Sequence, residues 1–349
     1  MYRCLQLAQL GDGSVAPNPM VGSVLVYNDR IIGEGYHRQY GQAHAEVNCI
    51  NSVAEEDRAL IPETTIYVSL EPCAHFGKTP PCADLIIEKG IRKVVIGCRD
   101  PFTQVNGKGI EKLKAAGIQV TIGILEAECL AINKRFFTFH TQHRPFVMLK
   151  WAQTANGKIA NEDYSRVLIS NAYTNRLVHH WRSQQMAILV GTNTALFDDP
   201  SLTTRLWPGK DPIRLVVDMD LRLPASLKLF DGTIPTIVFN KQKHTLDQLK
   251  HIDWSAAGVQ YYQVTEDVSL VHQIANALYQ MHIQSVLVEG GTKLLQSFID
   301  EGVWDEAKVI ANEALVLSKG LPAPHMTHAH LKSTELLFSD VIRTYAFHP

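Results

Sequence analysis

Apolar residues along this chain alternate between two spacings. MYRCLQLAQL (1–10) places them at helical intervals, whereas VGSVLVYN (21–28) is rich in β-formers and ends in Asn28-Asp29, a hairpin-type turn before RIIGEGYH (30–37). AHAEVNCINSV (43–53) reads as a helix, TTIYVSL (64–70) as a buried strand, and CADLIIEKG (82–90) as a helix closed by Gly90. RKVVIGC (92–98) and IQVTIGI (118–124) read as strands around the helix GIEKLKAAG (109–117). LEAECLAINKRFFTFH (125–140) reads as one further helix. Helices between short buried strands predict a layered α/β domain.

HTQHRP (140–145) is polar and ends in proline, so the boundary is placed there, giving domains 1–141 and 142–349. A second α/β series follows. PFVMLKWAQT (145–154), MAILVGT (186–192), PIRLVVDM (212–219), PTIVFN (235–240), VQYYQV (259–264), SVLVEGG (285–291) and EAKVIA (306–311) read as strands. NAYTNRLVHHWRSQ (171–184), HTLDQLKH (244–251), SLVHQIANALYQMH (269–282) and KLLQSFIDEG (293–302) read as helices between them. No internal repeat or low-complexity tract is visible.

The length, 349 residues, agrees with two domains rather than one core. Hydrophobic residues make up 46% and charged residues 19%, a globular profile, and the net charge of −2 argues against a surface built to coat nucleic acid or membrane. No run reaches the ~18 apolar residues of a membrane span. MYRCLQLAQLGDGS carries no long apolar stretch or cleavage signature, so a cytoplasmic protein is expected. In that reducing setting the six cysteines are metal ligands or core residues rather than a disulfide framework. Cys4, Cys49, Cys98 and Cys129 are read as core.

Cys73 and Cys82 flank a stiff loop, and His44 and Glu46 stand two apart in GQAHAEVNC. One imidazole and two thiolates give zinc three protein ligands and leave a fourth position open, the arrangement of catalytic rather than structural sites. Residues two apart on a regular helix diverge, so His44 and Glu46 share a site only if the helix starts at His44. Pro81 suits a first helical turn, and a helix N-terminus favours the Cys82 thiolate. H-x-E followed by P-C is the signature of zinc nucleobase deaminases, although AHFGKTPP here separates the cysteines instead of two residues.

With that long insertion, the first half resembles the pyrimidine deaminase domain of the bifunctional riboflavin-biosynthesis proteins. The likeness runs through PNPMVG (17–22), GEGYH (33–37), HAEV (44–47), SLEPCAHFGKTPPC (69–82) and DPFTQVNGKG (100–109). It implies a cytidine-deaminase-like three-layer fold, Zn2+ on His44, Cys73 and Cys82, and Glu46 as proton carrier. It places Asn18, His75, Lys78 and Asp100 around a phosphorylated pyrimidine. Lys78, a cation on a Gly-containing loop, suits an anion, whereas Asn18 and Asp100 equally suit turns beside proline.

In the second half, SVLVEGGTKLLQSF joins a strand to a helix through Gly290-Gly291, a turn whose N–H groups suit phosphate. No G-x-G-x-x-G is present, so an ordinary Rossmann fingerprint is absent. ILVGTNTALFDDPSLTTR reads as a strand followed by a long polar loop. Arg182 and Arg205 are forked donors for a phosphorylated substrate. From PFVMLKWAQTANGKIA to VLVEGG this half resembles the reductase domain of the same proteins, with a dihydrofolate-reductase-like fold. The likeness implies NADPH, with Ala152, Thr194, Asp198 and the turn Gly291, Thr292, Lys293, Leu294, Leu295, Gln296 and Ser297 facing the cofactor. Arg182, Leu202, Arg205 and Glu289 would face the substrate.

Two positions depart from the family pattern: Leu168 stands where a tryptophan is common, and Asn156 where aspartate is frequent. Ser170 or Asn171 caps the following helix. Residues from Ser318 onward receive no function. A homo-oligomer, dimer or tetramer, is expected. Two other readings stay open: a deaminase of tRNA or nucleosides with a degenerate second domain, and a structural zinc closed by His75.

Overall fold

A computed structural model describes every residue except 75, 77–79, 103–104, 166, 247–256 and 349. The chain divides into two compact units, Met1–Gln142 and His143–Pro349.

The first unit contains α1 (Tyr2–Gln9), β1 (Gly22–Tyr27), β2 (Arg30–Tyr36), α2 (Ala45–Asn51), β3 (Thr65–Leu70), α3 (Cys82–Glu88), β4 (Lys93–Cys98), α4 (Lys108–Ala115), β5 (Gln119–Ile122), α5 (Glu126–Ile132) and α6 (Lys134–Gln142). Its sheet runs β2-β1-β3-β4-β5, with β1 antiparallel to both neighbours and β3, β4 and β5 parallel. Asn28 and Asp29 both adopt positive φ, 46° and 61°, as the tight β1–β2 turn requires. One face of the sheet packs Cys49 and Ile50 of α2, Ile86 of α3 and Leu113 of α4 against Leu25, Ile66 and Ile96. Leu5 of α1 and Cys129 of α5 pack with Leu70 and Cys98 in a separate cluster. Cys4, Cys49, Cys98 and Cys129 are fully buried, as expected of core thiols. Gly35 lets α2 lie directly on β2, since a Cβ there would sit 2.2 Å from the Cys49 nitrogen.

The single helix expected over 125–140 is two. Asn133 interrupts it with φ −106° and ψ 20°. Its buried side chain instead pairs with the Met20 backbone, accepting from the N–H at 2.7 Å and donating to the carbonyl at 2.9 Å.

The second unit contains β6 (Phe146–Thr154), β7 (Lys158–Ala160), α7 (Ala172–Ser183), β8 (Ala187–Val190), α8 (Thr192–Asp198), β9 (Ile213–Val217), β10 (Thr236–Asn240), β11 (Val259–Gln263), α9 (Leu270–Gln280), β12 (Ser285–Glu289), α10 (Thr292–Asp300), β13 (Glu306–Asn312), β14 (Leu321–Pro322), β15 (Ala329–Leu337) and β16 (Asp340–Phe347). The nine-stranded sheet runs β11-β10-β9-β8-β12-β6-β13-β16-β15, and β7 pairs with β14 separately. All pairs from β11 to β13 are parallel, and β13-β16-β15 is antiparallel. Alternate residues of β6 point to opposite faces. Val147 and Leu149 pack with Ile274 of α9 and Phe298 of α10, whereas Phe146 and Met148 pack with Val178 of α7 and Ala195 of α8.

Three regions differ from the sequence reading. Thr192–Asp198, expected as the start of a polar loop, is helical. Only Ala195 is buried in it, while Leu196 and Phe197 are exposed, so no helical apolar stripe marks it. The β15–β16 hairpin lies in the stretch given no elements, and β15 is exposed along most of its length, without alternation. The helix expected over 244–251 falls largely outside the described residues. No helix is long and apolar enough to cross a membrane among the described residues.

Candidate active sites

His44 is the N-cap of α2, with φ −73° and ψ 169°. Its extended backbone precedes the first helical turn, which resolves the divergence of an H-x-E pair on a regular helix. Glu46 sits in that turn, 3% exposed. Cys73 follows the end of β3, and Cys82 opens α3 behind Pro81. The ligating atoms of His44, Cys73 and Cys82 all lie within 4.8 Å of one another. His44 Nδ1 is 3.6 Å from Cys73 Sγ and 3.4 Å from Cys82 Sγ. A tetrahedral zinc with Zn–N of about 2.0–2.1 Å and Zn–S of about 2.3 Å separates its nitrogen and sulfur donors by roughly 3.6 Å. The donor set therefore fits zinc in identity and spacing.

Hydrogen bonding between the two thiols pulls Cys73 down to about 4 and pushes Cys82 up. The Cys82 N–H also donates to Cys73 Sγ at 3.3 Å. Burial pushes Glu46 up to about 7, and its carboxyl is hydrogen-bonded to the Cys82 thiol. All six cysteines are free.

Asn18 and Asp100 have defined partners. Asn18 Nδ2 lies 3.1 Å from His37 Nε2, and His37 Nδ1 lies 3.1 Å from the Ala43 carbonyl. The carbonyl can only accept, so Nδ1 carries the proton and Nε2 accepts from Asn18. His37 is buried and packs edge-on against His44, with ring centroids 5.4 Å apart. It was visible only as the end of the GEGYH motif. Asp100 is buried, which pushes it up to about 7, and its Oδ1 accepts from the Phe102 N–H at 2.8 Å. His75 and Lys78 lie outside the described residues.

In the second unit Glu289 ends β12 and Arg182 lies in the last turn of α7. Arg182 Nε and Nη2 donate to the two Glu289 oxygens, each at 2.9 Å, and Nη1 donates to the Thr203 carbonyl at 3.1 Å. Lys150 Nζ stands 3.8 Å from Glu289. Burial alone pushes Glu289 up, but Arg182 and Lys150 together hold it down to about 2. The Arg182 fork is thus engaged within the protein. Leu202 is buried with φ 52°, and the carbonyls on either side of it are gripped by Arg182 at Thr203 and by fully buried Arg214 Nε at Ser201, the latter at 3.0 Å. Arg205 Nη1 donates to Thr203 Oγ1 at 3.4 Å.

Gly290 has φ 90°, and a Cβ there would meet the Thr194 side chain at 2.6 Å. Thr194 Oγ1 accepts from the Gly291 N–H at 2.9 Å. Gly291 caps α10, so the first-turn N–H groups of Thr292, Lys293 and Leu294 have no intrahelical acceptor. The Leu295 side chain is fully buried in the core and its N–H donates to the Gly291 carbonyl. Gln296 and Ser297 donate within or beside the helix, to Asp300 and to the Lys293 carbonyl. Ala152 lies on β6, partly buried, and Asp198 ends α8. Leu168 is 78% exposed. Asn156 does what an aspartate does not, since its Nδ2 donates to the Leu317 carbonyl at 2.7 Å. Asn171 is the N-cap of α7, accepting from the N–H groups of Tyr173 and Thr174.

Residues 1–98 match the family model of the cytidine and deoxycytidylate deaminase zinc-binding region, and residues 145–316 match that of the RibD C-terminal domain. Fold and site together define a zinc-dependent deaminase of the cytidine deaminase type joined to a dihydrofolate-reductase-like, NADPH-dependent reductase. The chain is 40% identical to riboflavin biosynthesis protein RibD of Aquifex aeolicus, over 88% of this chain and 85% of that one. It is 36% identical to its namesake from Actinobacillus pleuropneumoniae, over 99% and 94%. The crystal structure of a diaminohydroxyphosphoribosylaminopyrimidine deaminase/5-amino-6-(5-phosphoribosylamino)uracil reductase from Thermotoga maritima superposes with a TM-score of 0.88 at 36% identity, covering 99% of this chain and 97% of that one. The chain belongs to the RibD family of bifunctional riboflavin-biosynthesis enzymes.

Proposed function

We propose that the first unit hydrolyses an exocyclic amine of 2,5-diamino-6-(5-phosphoribosylamino)pyrimidin-4(3H)-one, and that the second reduces the ribosyl group of the resulting 5-amino-6-(5-phosphoribosylamino)uracil to ribityl. The observation that carries this reading is the triangle of His44, Cys73 and Cys82 with the Glu46 carboxyl against it. Zinc held by those three residues would supply a Lewis acid for the hydrolysis. Glu46 accepts the proton released by the attacking water and delivers protons to the ring and to the departing amine, so that the water oxygen stays as the ring carbonyl and the amine leaves as ammonia. Asn18, oriented by His37, and Asp100 hold the pyrimidine, and His75 and Lys78 complete the set.

NADPH, for which the Gly290-Gly291 turn and the start of α10 are the proposed site, would supply hydride. The N–H groups of Thr292, Lys293 and Leu294, which have no intrahelical acceptor, would hold its phosphates, and Thr194 fixes the turn. Arg182 acts on the substrate indirectly, by keeping Glu289 ionised and by holding the segment that carries Leu202 and Arg205. Arg205, with its fork largely unengaged, meets the substrate phosphate. The reading includes a cytoplasmic setting, supported by the free thiols, and a homo-oligomer, dimer or tetramer, which rests on family likeness alone.

Incubation with the diaminopyrimidine phosphate in the absence of NADPH is expected to release one ammonia per substrate. NADPH added afterwards is then oxidised. Ammonia released from tRNA or cytidine, with none from the pyrimidine phosphate, would overturn the proposal.

A further inference from the structure

We infer that Glu71 is a positioning residue of the deaminase, a latch that holds Asp100 beside the metal-ligand loop; this rests on the deaminase reading above. Glu71 directly follows β3, two residues before Cys73, and is 4% exposed. Its carboxylate accepts four backbone N–H groups. Oε2 takes those of Asp100 at 3.3 Å and Gly107 at 3.1 Å, and Oε1 takes those of Gly109 at 3.0 Å and Ile110 at 3.3 Å. Among the described residues its side-chain partners are these backbone amides, two of them in the first turn of α4.

The four donors come from both ends of the β4–α4 connection. Asp100 is the second residue after β4, and Gly107 is the N-cap of α4. One side chain therefore ties the loop into a closed ring and caps the helix. The ring is pressed against the ligand loop from the other side, because a Cβ on Gly109 would lie 2.0 Å from the Pro72 carbonyl oxygen. Asp100, proposed above to touch the pyrimidine, has its backbone N–H held by Glu71. A surface helix cap satisfies one or two amides. Four amides from two separate places, taken by a buried acid next to a metal ligand, fix a position rather than merely end a helix.

Glu71→Gln places an NH2 group against amide donors and loses two of the four bonds. The KM for the diaminopyrimidine phosphate is expected to rise about 10–100-fold, the scale of a misplaced binding group, with a smaller change in kcat. Zinc content and NADPH oxidation on the deaminated product should match wild type, which reports a folded chain. In an Asp100→Ala background the same substitution should add less than about threefold, because both act through one contact. A normal KM in Glu71→Gln, a full multiplicative penalty on top of Asp100→Ala, or loss of zinc would each overturn the inference. Should Glu71→Gln fail to fold, Gly107→Ala tests the latch from its other end. Alanine is strained at the Gly107 φ of 85°, and a KM rise of about threefold or more, absent in the Asp100→Ala background, is expected. An unchanged KM would overturn the inference there too. A wild-type chain that releases no ammonia would sink the deaminase reading itself, and this inference with it.

Discussion

Glu46→Gln slows ammonia release by about 10²–10⁴-fold, the range of a lost general acid–base group, and leaves the reductase rate unchanged. Glutamine has the same shape and still reaches Cys82, but it cannot accept and return a proton. The effect follows from the way α2 begins. His44 stands outside the helix in extended geometry and Glu46 lies in its first turn, so both side chains reach the same thiol pair. Zinc content should stay at the wild-type level, because Glu46 is not among the three donors that surround the ion. The comparison needs only an ammonia assay and elemental analysis on both proteins. Equal rates would remove Glu46 from the chemistry.

Arg182→Met destabilises the second unit by about 3–5 kcal/mol and abolishes reduction. The substitution leaves a 7% exposed carboxylate, Glu289, with only Lys150 at 3.8 Å to answer its charge. The pH dependence has a definite sign. Glu289 falls from an ordinary 4.5 to about 2, so its contribution is fully present above about pH 4.5 and is lost as pH falls through about 2. Wild type should therefore lose stability more steeply than Arg182→Met between pH 4.5 and 2. All five tryptophans lie in the second unit, so their fluorescence follows its unfolding in the whole chain. Parallel acid titrations of the two proteins would contradict the assignment. Arg182→Met combined with Glu289→Leu should regain stability without regaining reduction.

The strands of both units were legible because they are buried on alternating or on both faces, as in TIYVSL and SVLVE. The metal donors were legible because their residue types are restrictive and their neighbours, Pro72, Pro81 and Gly41, announce turns. Less could be read where a side chain serves another segment. Asn133 looks like an ordinary helical residue until Met20, 113 positions away, takes its amide. Glu71 looks like a polar residue after a strand, and its four donors lie at least 29 positions on. Arg182 looks in sequence like a forked donor for substrate, and only the fold brings Glu289, 107 positions later, into its grip. Helix α8 was missed because it buries one residue, and β15 because it buries almost nothing.

Zinc removal measures the central claim most directly. The chain as purified should carry one zinc, and chelation should abolish ammonia release while NADPH oxidation on the deaminated product continues. Added zinc should restore the release, but not in Cys73→Ser with Cys82→Ser. Ammonia release that persists in the zinc-free chain, or a full complement of zinc in that double variant, would contradict the account.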